Sequence, residues 1–170
     1  MRVLVAKSIL DWANAMVLQY HEGKDYRPGT SAIVENLHGE LLLVRSAKGP
    51  EWDFPKGGSH PDEDIITTLG RELLEETGIS TKEIVVNKFT SLAVYDTPGR
   101  KREGFERGKA YFHFHVLWNG SGRLVLDPTE IADHRWIPKR TIRGEISALY
   151  ADNPTKKSRL NKALTPILLD

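Results

Sequence analysis

The sequence predicts a mixed α/β protein with a sheet packed between helices. Three features carry that reading. Two β-rich runs surround a short Gly-containing connection in the first third of the chain. A strongly patterned helix closed by glycine follows them. Two long β-type runs and then further helices complete the order. At 170 residues the chain suits one domain with terminal appendages, and it is long enough to bury a core without a disulfide or metal staple.

In order along the chain, the spacing of Ile9, Trp12, Ala13, Met16 and Tyr20 predicts a helix from Ser8 to about His21, with Ser8 as N-cap. Gly23, Pro28 and Gly29 make 21–29 read as a linker. Residues 1–28 are therefore expected to form a helical extension packed on the domain's flank, with an oligomer contact as the alternative. Residues 31–36 and 40–45 flank Leu37-His38-Gly39 as a hairpin. Asp64 to Thr77 is the best helix, closed by Gly78 at C′. Strands over 84–95 and 110–118 are joined by a charged, glycine-containing connection, 96–109. A short strand at 134–137 precedes helices near 139–150 and 155–164. The expected domain is 29–152, with 153–170 a helical tail packed on it.

Composition excludes several function classes. With 24 Lys+Arg against 23 Asp+Glu, bulk charge makes no case for nucleic-acid or membrane binding. The absence of cysteine excludes disulfide scaffolds, thiolate metal sites and cysteine nucleophiles. No stretch approaches the roughly 18 apolar residues of a membrane helix. Asp11 and Asn14 interrupt the N-terminal apolar run before a signal-peptide core forms, which makes cytoplasm the default.

The chemistry concentrates in residues 55–79. At 100° per residue, Glu72, Glu75 and Glu76 fall within about a 100° sector of the helix, where like charges repel by a few tenths of a kcal/mol per pair. They border the stripe of Ile66, Leu69 and Leu73, a costly place for carboxylates without a neutralising cation. Oxygen-only ligands suit a hard divalent ion, Mg²⁺ or alternatively Mn²⁺. Ahead of the helix, Lys56-Gly57-Gly58 reads as a turn whose backbone approaches an anion closely. Together these features point to phosphoryl or pyrophosphate chemistry.

Gly57, Glu63 after five residues, and after seven more Arg71-Glu72-Leu73-Leu74-Glu75-Glu76-Thr77-Gly78-Ile79 resemble the Nudix box at every fixed position. A chance match is on the order of one in ten million. The resemblance implies a MutT-like Nudix hydrolase, an α/β/α sandwich around a mixed sheet with a loop–helix–loop catalytic box. It cleaves a nucleoside diphosphate linked to another group. The resemblance places metal ligands at Glu75 and Glu76, then Glu72, with Glu63 adding a ligand or a water-mediated contact. Arg71 orients a glutamate, and Gly57 and Gly78 serve backbone geometry. Trp52 to Gly58 resembles the approach to the box in RNA 5′-pyrophosphohydrolases and dinucleoside tetraphosphate hydrolases. The run Pro128 to Trp136 resembles RNA pyrophosphohydrolases and makes Glu130 a further metal ligand. His60, Asp62 and Gly70 depart from common family residues, and a close packing contact is the plain explanation of Gly70.

For the general base, Glu72, Glu76 and Glu130 lead, with Glu103 and Glu106 behind. On the substrate side, Arg100, Lys101, Arg102, Arg107 and Lys109 read either as a solvated loop or as a lid over a polyphosphate, with Phe105 available to stack on a base. Tyr111, His113 and His115 share one face of a strand, toward solvent or the cleft, with Phe112 and Phe114 on the core side. His113 is a candidate phosphate contact. Arg45, Trp52 and Tyr95 are candidates for phosphate and base. The substrate expected first is a dinucleoside polyphosphate or related small nucleotide. The alternatives are the 5′ end of an RNA, or nucleotide binding without catalysis. No membrane is expected as a partner, and the chain is a monomer or homodimer.

Overall fold

The computed structural model describes residues 1–97 and 104–169. The chain builds an eight-stranded sheet between two pairs of helices, in the strand order β1-β6-β7-β2-β3-β4, with β5 on β2 and β8 on β3. β1 (Arg2–Val3) lies parallel to β6. α1 (Lys7–Gly23) follows with Ala13, Val17 and His21 buried, and closes on left-handed Lys24. Its N-cap is Ala6, without a side-chain bond, so Ser8 lies inside the first turn rather than capping it.

β2 (Tyr26–Glu35) occupies part of the expected linker. Pro28 and Gly29 are strand residues because β2 is sandwiched between β7, in parallel register from Tyr26 to Glu35, and β5. A side chain at position 29 would collide with the Gly57 carbonyl and the Tyr111 ring. The glycine thus marks close backbone approach, not a turn. β3 (Glu40–Ser46) completes the expected hairpin, and β4 (Trp52–Asp53) pairs with it. Lys56-Gly57-Gly58, expected as a turn, is β5, antiparallel to β2.

α2 (Ile65–Thr77) starts where the Asp64 carboxylate accepts the Ile66 and Thr67 N–H groups, and it stops at Gly78 (φ 72°). A side chain at Gly70 would press on Thr81 at 2.7 Å, the close contact expected there. After one 3₁₀ turn (Thr81–Glu83), β6 (Ile84–Asp96) and β7 (Gly108–Trp118) pair antiparallel. β8 (Ile131–Pro138) lies on β3, and α3 (Ile142–Leu149) and α4 (Pro154–Leu168) end the chain.

The two sheet faces carry separate cores. Ala32, Val34, Phe112 and Phe114 meet Leu69 and Leu73 of α2 and Val17 of α1. Ile33, Leu41 and Leu43 meet Ile142 and Ile146 of α3 and Leu160 and Leu164 of α4. Tyr111, His113 and His115, expected toward solvent or the cleft, are 5%, 3% and 4% exposed. Among the described residues no helix is long and apolar enough to cross a membrane.

Candidate active site

The box helix α2 and strand β5 face each other across one arginine. Arg71 grips Glu63 with a two-pronged fork, Nε to Oε1 at 2.8 Å and Nη2 to Oε2 at 2.9 Å. It also donates to Glu72 (2.7 Å), Glu75 (3.2 Å) and the Gly58 carbonyl (2.9 Å). These charge-assisted bonds hold the Glu63 carboxyl at about 2, with further help from Thr68 Oγ1 and the His60 N–H and against a burial cost. Glu63, a ligand candidate in the sequence, thus has both oxygens committed inside the protein. Glu72 lies so close over Gly57 that a Cβ there would overlap its carboxylate.

Glu76 occupies a different environment. Its Oε2 accepts the Lys56 N–H at 2.9 Å, yet burial pushes its carboxyl up to about 8, and the negative fields of Glu72 and Glu130 add to the rise. Glu72 is raised as well, by burial first, although Arg71 opposes it. Glu130 stands just before β8, about half exposed, paired with Lys48 at 2.5 Å. Glu75 is more exposed still, at 58%, and touches Arg71.

Half-buried acids resisting ionisation beside other acids have the donor chemistry a hard divalent cation satisfies. Among the described residues no three acid or histidine side chains already converge on one point. The residues fit such an ion by ligand type, with Glu72, Glu76 and Glu130 as the side chains that would hold it and Glu75 beside them.

Next to these acids lies a cluster the sequence did not disclose. The buried Asp53 carboxylate bonds Lys56, and Lys156 and Arg159 of α4 approach it at 3.4 and 3.6 Å. Burial alone would raise its pKa, but the three cations outweigh that and hold it far below the ordinary carboxylate range. Glu51 takes a second bond from Lys156 at 2.6 Å. Arg159 also covers the Tyr95 ring at 4.0 Å, and Tyr95 leans on Tyr111. Lys56 and Lys109 both stand 5.7 Å from the Tyr111 ring. One signal for α4 was present: Lys156 and Arg159 are three apart and share a helix face.

The other candidates divide. Arg45 and Trp52 are cross-strand partners, and Arg135 covers the Trp52 ring at 4.4 Å, with Arg45 at 5.9 Å. His113 does not offer a charge to phosphate: burial lowers it to about 4, and its Nδ1 has no partner among the described residues. Phe105 is buried against His21 under Lys24, so its ring is not free to stack on a base. Arg107 pairs with Asp96 and Tyr26, and Glu106 is exposed. Arg100, Lys101, Arg102 and Glu103 lie outside the described residues.

Residues 25–158 match the NUDIX domain model. The RNA pyrophosphohydrolase of Coxiella burnetii is 32% identical over 109 residues, covering 63% of this chain and 48% of that protein. That of Serratia proteamaculans is 37% identical over 59 residues, 35% of this chain and 34% of that protein. The chain therefore spans between a third and a half of the length of these curated relatives. Among solved structures, the E. coli dihydroneopterin triphosphate pyrophosphohydrolase has a TM-score of 0.63 at 14% identity, covering 85% of this chain and 98% of that one. A C. elegans Ap4A hydrolase in a binary complex has 0.56 at 18%, covering 80% and 93%. At such identities these two share the fold.

Proposed function

The chain belongs to the NUDIX family, and on that premise we propose that it hydrolyses a pyrophosphate bond in a nucleoside polyphosphate, most readily a dinucleoside polyphosphate or related small nucleotide, with Mg²⁺. The observation that carries the reading is the juxtaposition at Lys56. Its backbone N–H holds the half-buried Glu76, while its side chain joins the cations around Asp53. Acids for a cation and cations for a polyphosphate thus meet at one residue.

A divalent ion, when bound, supplies positive charge against the phosphate oxygens and the attacking water. The chain's own residues do the rest. Arg71 fixes Glu72 over the glycine strand, so that one carboxylate stays in place through turnover. Gly57 and Gly58 leave room over β5 for the Glu72 carboxylate and the Arg27 guanidinium. Lys56, Lys156 and Arg159, balanced among the described residues by Asp53 and Glu51, orient the phosphate chain. Arg45 and Arg135, lying over the buried Trp52 ring, offer a base their guanidinium planes.

A second reading is removal of pyrophosphate from a 5′-triphosphate RNA. The similarity to RNA pyrophosphohydrolases favours it, and the arginines flanking Trp52 suit an RNA end.

The test is product analysis with Mg²⁺ on diadenosine tetraphosphate, ADP-ribose, dNTPs, nucleotide sugars, diphosphoinositol phosphates and 5′-triphosphate RNA. One substrate class should be cleaved at a pyrophosphate, and Glu76→Gln should cost at least about 100-fold in kcat. Preference for the RNA moves the second reading to first place. Nucleotide binding without turnover on any substrate overturns both in favour of a binding protein.

A further inference from the structure

The face that α1 turns inward carries Leu10, Ala13, Met16, Val17 and Tyr20, and among them the polar Asn14 and His21. A helix that only packs would place apolar groups there, because burying an amide or an imidazole costs free energy unless it is hydrogen-bonded. Both find their partners in the catalytic box. Asn14 Oδ1 accepts the Ile65 N–H at 2.8 Å, and buried His21 Nε2 lies 3.1 Å from Ser59 Oγ. Asp64 caps only Ile66 and Thr67, so Asn14 satisfies a further N–H at the start of α2 from outside the box.

The two anchors are seven residues apart, about 10 Å along α1, and their partners bracket residues 59–65. Inside the bracket the His60 N–H meets Glu63, and Glu63 is forked by Arg71, which holds Glu72. Bonds thus run from α1 through the loop to a catalytic carboxylate. Every residue of α1 precedes residue 25, where the family match begins.

We propose that α1 is a brace for the catalytic loop, with Asn14 and His21 as positioning residues that act on Glu72 through 59–65 and Arg71. This rests on the hydrolase reading above. Freed from the brace, the loop keeps its ligands but samples more positions, so turnover falls while substrate affinity holds.

The experiment compares Asn14→Leu and His21→Leu, singly and together, with Asn14→Asp and His21→Gln, which keep a hydrogen-bonding group. Val17→Ala is the control, since it loosens α1 without touching either bond. The double Leu variant should lose about tenfold in kcat with KM within about twofold, and amide exchange at 59–65 should quicken. The Asp and Gln variants should recover most of the rate, and Val17→Ala should lower the melting temperature but not kcat. A double Leu variant that turns over at the wild-type rate overturns the brace, as does Val17→Ala matching its loss of kcat. Exchange needs no turnover: unchanged protection at 59–65 overturns the brace even if no substrate is cleaved, whereas quickened exchange in a chain without hydrolysis rejects the enzymatic reading alone.

Discussion

Asp53 shows how one buried charge organises a site. Alone it would be expelled or protonated, yet Lys56, Lys156 and Arg159 keep it ionised. It in turn keeps three cations together beside the acids of α2. Asp53→Asn leaves those cations facing each other in a half-dry setting. The expected cost is about 3 kcal/mol of stability, read by denaturant unfolding. A rise in KM for substrate should accompany it, because Lys156 and Arg159 lose their anchor. An unchanged unfolding midpoint would remove Asp53 from this role. Of this cluster the sequence disclosed Lys56 but not its partners, although Lys156 and Arg159 share a helix face. Lys156 and its partner Glu51 stand 105 positions apart, and a basic helix face reads as solvated until the fold presses it on an acid. The box acids were legible for the opposite reason. Their spacing is local, and the helix places them on one side wherever it sits.

At the scale of elements, the pairing of β5 with α2 is set by the missing side chain at Gly57. The atoms a Cβ would strike belong to the end of the Glu72 side chain, which can swing aside. Gly57→Ala should therefore leave stability within about 1 kcal/mol while displacing Glu72 from Arg71. A fall in kcat of about tenfold or more at an unchanged melting temperature is the expected signature. Loss of fold would contradict it. α2 itself was readable from end to end, because Asp64 and Gly78 are signals carried within the helix's own neighbourhood. β5 and the opening of β2 were not. Glycine and proline mark turns by default, and only contact with Tyr111 for Gly29, and with Glu72 for Gly57, shows that these glycines are there for closeness. The inward face of β7 was misjudged similarly. Its histidines look like surface groups until the fold buries them, His115 against Glu35 and Asn87.

For the molecule as a whole, the acids of the box tie stability to pH. Glu76 sits near 4.5 when unfolded and is raised to about 8 when folded, and Glu72 shifts in the same direction. Across that window these acids bind more protons in the native state than in the unfolded one, so their contribution to stability falls as pH rises; His21, His113 and His115, lowered by burial, work the other way only up to their unfolded value near 6.5. Without a divalent ion the melting temperature should therefore drop between about pH 6.5 and pH 8.5. Added Mg²⁺ should restore it at the alkaline end, where the charged acids bind it. Glu76→Gln should flatten the slope and remove most of the Mg²⁺ response. A profile level in pH without the ion would contradict this account.

The parallel register of β2 and β7 has a consequence of another kind. Tyr26 pairs with Gly108, and Glu35 with Leu117. A nascent chain therefore holds its central strand open while β3, the box helix and β6 are all synthesised. The platform beneath the catalytic loop closes only when β7 arrives. The entropy of closing so long a loop must be met before those contacts exist, and β1 on β6 and β3 on β8 add closures of similar span, so the sheet is closed by pairings that are all far apart in the chain.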